Sequence, residues 1–210
     1  MTRVFMLLFA LFAAPVRAQD VAGDFDYYVL SLSWSPNWCA LEGDDRDSPQ
    51  CDPSENFGWT LHGLWPQYES GWPERCRTSF SEPSRSQTGA MADIMGTSGL
   101  AWYQWNKHGV CAGLPAAQYY ARARQAYDQV IRPAVFERLD HSVNLPASVV
   151  QDAFLAENPG LTADQITVTC DNGYIQEARI CLTRDLEFRR CGSDTIRDCT
   201  LDDAQFDPVR

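Results

Sequence analysis

Lysine is nearly missing from this sequence. Of its 17 basic residues all but Lys107 are arginine, and histidine is held to three, His62, His108 and His141. Against 28 acidic residues the formal net charge is −11. That balance argues against a protein held to DNA by a broad basic face. No C-x-x-C pair occurs, and no histidine lies near a cysteine cluster except His108 beside Cys111, so no metal site is expected. Past the N-terminus no apolar run approaches the length of a membrane span. Internal repeats and low-complexity linkers are also missing, which leaves one domain. What is present suits that reading. A chain of 210 residues with 45% hydrophobic residues can bury a core of its own and is not disordered. Aromatic residues reach 12%, with 7 tryptophans.

The first 18 residues read as a secretory signal. Arg3 supplies an early positive charge, Val4 to Ala14 is apolar but too short to span a bilayer, and Val16-Arg17-Ala18 places small residues at cleavage offsets. An uncleaved amphipathic anchor is the alternative. Cleavage before Gln19 removes two arginines and no acid, taking the charge from −11 to −13. The remaining chain, 19–210, is expected to be one domain, secreted or periplasmic, and not membrane-bound.

Export gives the eight cysteines their meaning, since an even count in an oxidising compartment favours disulfides. Locality joins Cys39 to Cys51 across the turn-rich stretch from Glu42 to Glu55. Cys170, Cys181, Cys191 and Cys199 read as staples of one C-terminal sheet region, their pairing left open. Cys76 and Cys111 then remain for each other.

Alternation over Asp26 to Trp34 predicts a half-buried strand, with Tyr28, Leu30, Leu32 and Trp34 on one face and Ser31 and Ser33 on the other. Phe57 to His62 alternates again and is expected to break at Gly63. Glu69 to Gln87 is a long polar loop, and Met91 to Trp105 suggests short helical turns. Apolar spacing predicts a helix over Pro115 to Arg132, stopped by Pro133, and a second over Pro146 to Glu157. Ile166 to Cys170, Tyr174 to Thr183 and Leu186 to Arg190 read as strands, the first two joined at Asp171-Asn172-Gly173, a hairpin signal. Strands and helices do not alternate strictly. The expected class is therefore α+β, a central antiparallel sheet with helices packed on it, stapled by disulfides.

Two segments carry the chemistry, Trp59-Thr-Leu-His-Gly-Leu-Trp-Pro66 and Trp102-Tyr-Gln-Trp-Asn-Lys-His-Gly-Val-Cys111. Each holds a His followed by Gly and flanked by Trp, and together they take two of the three histidines and the one lysine. The plain reading is two aromatic-rich core strands with incidental histidines. The sharper reading is a two-histidine acid–base site, one imidazole taking a proton while the other gives one. Lys107 beside them would bind an anion whose charge changes in the transition state. Such a set fits transfer at a phosphodiester better than acyl transfer, which wants an activated Ser or Cys. His141, in Asp140-His-Ser, lies in a polar turn and reads as surface.

These residues resemble the two active-site segments of the ribonuclease T2 family, in order and in spacing. The resemblance extends to Tyr27-Tyr-Val-Leu-Ser-Leu-Ser-Trp-Ser-Pro36 and to the Leu-Pro start of the long helix. It implies an α+β fold and metal-independent cleavage of single-stranded RNA, without a cofactor, by attack of the 2′-OH on the adjacent phosphate. The product is a 2′,3′-cyclic phosphate, which is then hydrolysed to a 3′-phosphate. DNA lacks that hydroxyl and is not a substrate. By the same resemblance His62 is the general acid, His108 the general base and Lys107 the stabiliser of the transition state. Gln104 lines the catalytic group, Trp65 stacks on a base, and Tyr103 and Gln67 stand beside the substrate. Cys111 matches a half-cystine whose partner is Cys76, which ties the long loop to the strand carrying His108. The C-terminal pairs it implies are Cys170–Cys199 and Cys181–Cys191. A monomer is expected.

The sequence departs from the family pattern at Gln104, where Glu is common, and at Tyr103, where the family has His. Glutamine keeps size and hydrogen bonding but not the negative charge that favours an imidazolium. Gln67 replaces an acidic residue found in some members. These departures motivate the alternative of a catalytically weakened homologue that binds RNA or protein. Arg75, Arg77 and Arg85 read as a solvated loop face, with a groove wall as their alternative.

Overall fold

The computed structural model describes residues 20–210, so the expected signal segment lies outside the described residues. The sheet is built on β1 (Tyr27–Trp34), β2 (Trp59–Gln67), β3 (Val143–Leu145), β4 (Ile166–Asp171), β5 (Tyr174–Leu182) and β6 (Ala204–Phe206). The helices are α1 (Ser35–Trp38), α2 (Arg85–Gly89), α3 (Ala92–Met95), α4 (Ser98–Lys107), α5 (Ala116–Gln129) and α6 (Ala147–Glu157), with short 3-10 and π turns between them. Strand β1 lies between β2 and β5, and β5 pairs on its other side with β4. Strand β6 continues beside the start of β5 and pairs with β3. All pairings between these strands are antiparallel except the single Tyr174–Gln205 pair. The class is α+β, as expected. Among the described residues no helix is long and apolar enough to cross a membrane.

Strand β1 is buried at every position rather than on one face. Its even residues, Tyr28, Leu30, Leu32 and Trp34, join the main core with Leu61, Trp105, Tyr119, Phe154 and Phe206. Its odd residues Tyr27 and Val29 pack with Cys181 and Cys191 under the C-terminal segment. Alternation revealed the first face; the second is covered by chain more than 150 residues away, as the Tyr27 Oη–Thr195 Oγ1 bond at 2.7 Å shows.

Strand β2 does not break at Gly63. It runs on to Gln67 through a bulge, for Ser31 pairs with Gly63 while Leu32 pairs with Leu61, leaving His62 without a partner position. One extra residue inverts the parity of all that follow. Leu61 and Leu64, three apart, both enter the core, and His62 and Trp65, also three apart, share the opposite face. Two tyrosines of α5 satisfy carbonyls of this edge strand, Tyr119 donating to Leu64 O and Tyr127 to Trp59 O, each at 2.9 Å.

Helix α5 stops at Gln129, short of Arg132. The Arg132 guanidinium donates to Tyr127 O and Val130 O, and the Asn158 side chain bonds both N–H and C=O of Ile131, so the last turn is replaced by side-chain partners. The hairpin forms at Asn172 (φ +46°) and Gly173 (φ +86°), a type I′ turn as the sequence indicates. The strand expected over Leu186 to Arg190 does not form. Leu186 sits at φ +70° in a turn closed by its N–H on Thr183 O, and only the Leu182–Phe188 bridge survives.

The four disulfides are Cys39–Cys51, Cys76–Cys111, Cys170–Cys199 and Cys181–Cys191.

Candidate active site

Helix α4 begins at Thr97, whose hydroxyl accepts from Leu100 N at 3.1 Å. Ala101 and Trp105, four apart, face the core, while Gln104, Lys107 and His108 follow at i, i+3 and i+4 on the side that faces the cleft. His108 is therefore carried by a helix end and not by a strand. Its N–H donates to Gln104 O at 2.9 Å, and its carbonyl accepts from Cys111 N at 2.9 Å. The Cys76–Cys111 bridge and the Arg75 N–H···O Lys107 bond at 2.8 Å clamp the long loop to this helix end.

The bulge of β2 and the end of α4 bring His62 and His108 to one cleft of about 410 Å³, which Trp65, Gln67, Trp72, Tyr103, Lys107 and Arg179 also line. Trp65 packs against both imidazoles, its ring centroid 5.2 Å from each, nearly perpendicular to His62 and tilted 31° to His108. Its indole N–H donates to Gln104 Oε1 at 2.7 Å. The glycine after each histidine now has a reason. A Cβ on Gly63 would press into the Trp65 indole nitrogen and Gln104 Oε1, and one on Gly109 into the rings of Trp105 and Tyr119.

The two imidazoles differ in surroundings. His108 is buried, and its Nδ1 has no hydrogen-bond partner, which leaves Nε2 toward the cleft. Burial first, then the charges of Lys107, His62 and Arg75, push its pKa down to about 3. This ring is neutral at pH 7, the state a general base requires. His62 is one-third exposed, and its Nδ1 meets Glu177 Oε1. Burial alone would raise the Glu177 carboxyl, but the His62 imidazole and the Arg179 guanidinium outweigh it and hold it at about 2. Arg179 Nε donates to Glu177 Oε2 at 2.7 Å, and its guanidinium lies 5.4 Å from the Trp65 ring centroid.

All seven catalytic and substrate-side residues expected from sequence thus border or support this cleft. Lys107 forms no ion pair among the described residues. Tyr103 is 45% exposed, Gln104 and Gln67 are buried, and Trp65 is half-buried on the cleft wall. His141 is on the surface beside Asp140, as its polar turn indicates. Arg75, Arg77 and Arg85 are exposed, and of these Arg75 acts on His108. Three residues escape a reading of the sequence: Glu177, Arg179 and Trp72. The signal for the first two is a Glu and an Arg two apart inside a mostly apolar strand. Trp72 is 54% exposed on a loop fixed by the Arg189–Glu69 pair and by Gly71 N–H on Asp194 Oδ2. Cys39, Asp44 and Cys51 form the one cluster of metal-ligating residue types among the described residues, and both thiols are consumed in a disulfide.

Fold and cleft together define a disulfide-bonded α+β protein that packs a neutral imidazole and a carboxylate-bound imidazole against one indole, with a lysine at hand. The chain belongs to the ribonuclease T2 family, whose family model matches residues 25–191. It is similar to a ribonuclease of Aeromonas hydrophila, 39% identical over 145 residues, a match that covers 68% of this chain and 65% of that protein. A probable ribonuclease of Haemophilus influenzae is 32% identical over 127 residues, covering 55% of this chain and 47% of that one. The chain thus spans less than two thirds of the length of either relative. The fold is shared with an RNase-related protein from Calystegia sepium, TM-score 0.68 and 18% identical, over 89% of this chain and 98% of that one.

Proposed function

We propose that the protein is an exported endoribonuclease that cleaves single-stranded RNA by transfer at phosphorus, with no metal or other cofactor. The observation that carries this reading is the unequal setting of two imidazoles on one cleft. His108, neutral, takes the proton of the 2′-OH, and the 2′ oxygen attacks the adjacent phosphorus. The bond from phosphorus to the 5′ oxygen breaks, and His62, protonated, gives that oxygen its proton. Lys107 lies beside the phosphate and offsets the charge that builds on its non-bridging oxygens. The 2′,3′-cyclic phosphate is then opened by water with the two histidines exchanging roles, giving a 3′-phosphate. The rings of Trp65, Trp72 and Tyr103 line the cleft and stack on bases.

A defined single-stranded RNA incubated with the protein in excess EDTA tests this. Cleavage at the same rate as without chelator is expected, with a cyclic phosphate appearing before the 3′-phosphate, and DNA of the same sequence stays intact. Activity lost in EDTA and restored by a divalent ion would overturn the mechanism. Binding of RNA without cleavage would replace it with the reading of a binding module.

A further inference from the structure

We propose that Glu177 is the positioning carboxylate of His62, supplied from β5 in a site whose own helix offers only the neutral Gln104. The inference rests on the two-histidine reading above. Glu177 is 2% exposed, so its carboxylate was taken out of water and must be repaid by its partners. It has two. Oε1 meets His62 Nδ1, and Oε2 accepts from Arg179 Nε at 2.7 Å. The bond to Nδ1 fixes the ring's rotation and its tautomer, so that Nε2 is the nitrogen turned to the cleft. The oxygen at Nδ1 belongs to an ionised carboxylate. Arg179 keeps that oxygen ionised and aimed.

Gln104 cannot do this. Its Oε1 is engaged by the Trp65 indole and not by either imidazole. The register of the sheet delivers the substitute. Glu177 lies opposite Ser33 and Arg179 opposite Ser31 on β1, while Ser31 is opposite Gly63, next to the bulged His62 on β2. A carboxylate two strands away thereby reaches across the small serines to the histidine. The other charged or titratable groups lining this cleft are His108, Lys107 and Tyr103 from the α4 side, Glu74 on the long loop, and Asp194, whose Oδ2 accepts from Gly71 N. Across an adjoining hollow of about 670 Å³ lie Glu42 and Arg46, which pair with each other at 2.6 Å. Among the described residues the carboxylate in contact with a ring nitrogen of His62 is that of Glu177.

The test compares two substrates in one preparation. A dinucleotide leaves through a basic alkoxide and needs the acid. A nucleoside 3′-(4-nitrophenyl) phosphate leaves through a weakly basic phenolate and does not. Glu177→Gln should lower kcat/KM on the dinucleotide by about 10–10²-fold while leaving the nitrophenyl substrate within about threefold. The ratio of the two rates is insensitive to a fraction of unfolded protein, since that fraction lowers both alike. Equal losses on both substrates, or no loss on the dinucleotide, overturn the proposal. The ¹⁵N shifts of the His62 ring give a readout independent of catalysis. In the native protein Nδ1 should carry a proton through neutral pH, and an Nδ1 without one there overturns the positioning role even if the ribonuclease reading itself fails. A native protein inactive on both substrates, with that Nδ1 proton present, would instead remove the ribonuclease reading alone.

Discussion

His62 and His108 are the same side chain in opposite surroundings, one against a carboxylate and the other given burial and cations, and the proposed acid and base roles rest on that difference. A base with its pKa near 3 stays competent through mildly acidic solution. The acidic limb of kcat/KM, which reports the free enzyme, is therefore expected below about pH 5, and a limb near the ordinary histidine value would contradict the assignment of His108. Replacing either histidine by alanine should cost about 10²–10⁴-fold. Gln104→Ala should cost much less than His108→Ala, since Gln104 acts through the Trp65 hydrogen bond rather than on a proton in flight. Gln104→Glu keeps that bond and adds a negative charge close to His108, so activity should persist while the acidic limb moves to higher pH. Profiles of the four variants on one dinucleotide separate these outcomes.

At the scale of elements, the site depends on one bulge and one helix end. The bulge turns His62 and Trp65 to the same face, and the closing turn of α4 turns Lys107 and His108 toward them. What holds the helix end is the Cys76–Cys111 bridge, which closes a 35-residue loop. Removing it through the double change Cys76→Ser and Cys111→Ser should lower unfolding stability by about 3–4 kcal/mol. The same change frees the Arg75–Lys107 segment, so kcat/KM should fall further than the loss of folded protein accounts for. Urea titration paired with activity per folded molecule measures both. An unchanged rate per folded molecule would mean that the bridge serves stability alone.

At the scale of the whole molecule, the charge of −11 opposes a polyanion at a distance, yet ions screen that field within about 8–10 Å. Under the proposed function the local cations Lys107, Arg75 and Arg179 supply the attraction where contact is made. The acid side of the stability curve carries the mark of the two buried site groups. His108 has its folded pKa depressed from 6.5 to about 3, so the unfolded chain binds the extra proton between those values. Its contribution is whole above about pH 6.5 and is lost as pH falls toward 3. Glu177, held at about 2 against 4.5, contributes above 4.5 and is lost toward 2. Urea unfolding at pH 7 and pH 4 should therefore show a drop that is smaller in His108→Gln than in the native protein. An equal drop in the two would mean that His108 is not held neutral by the fold.

Much of this molecule is legible in its sequence, and what is legible there is local. The Asp171-Asn172-Gly173 hairpin, the long helix after Pro115 and the core face of β1 follow from turn chemistry and from periods of two and 3.6 residues, which neighbours along the chain set by themselves. The Cys39–Cys51 pair follows from short loop closure, and the two histidine segments declare themselves by composition. The tertiary structure alone decided the rest. Strand β1 is buried on both faces because the C-terminal segment returns over it. Residues Leu186 to Arg190 lose their strand to a turn at Leu186. The bulge at His62 is a mismatch between two strands and has no trace in either one alone. Glu177 and Arg179 read as two charges in an apolar strand until β5 is laid beside β1. Which strand neighbours which is set by the sum of long-range contacts, and the identity of the carboxylate that serves His62 was settled at that level.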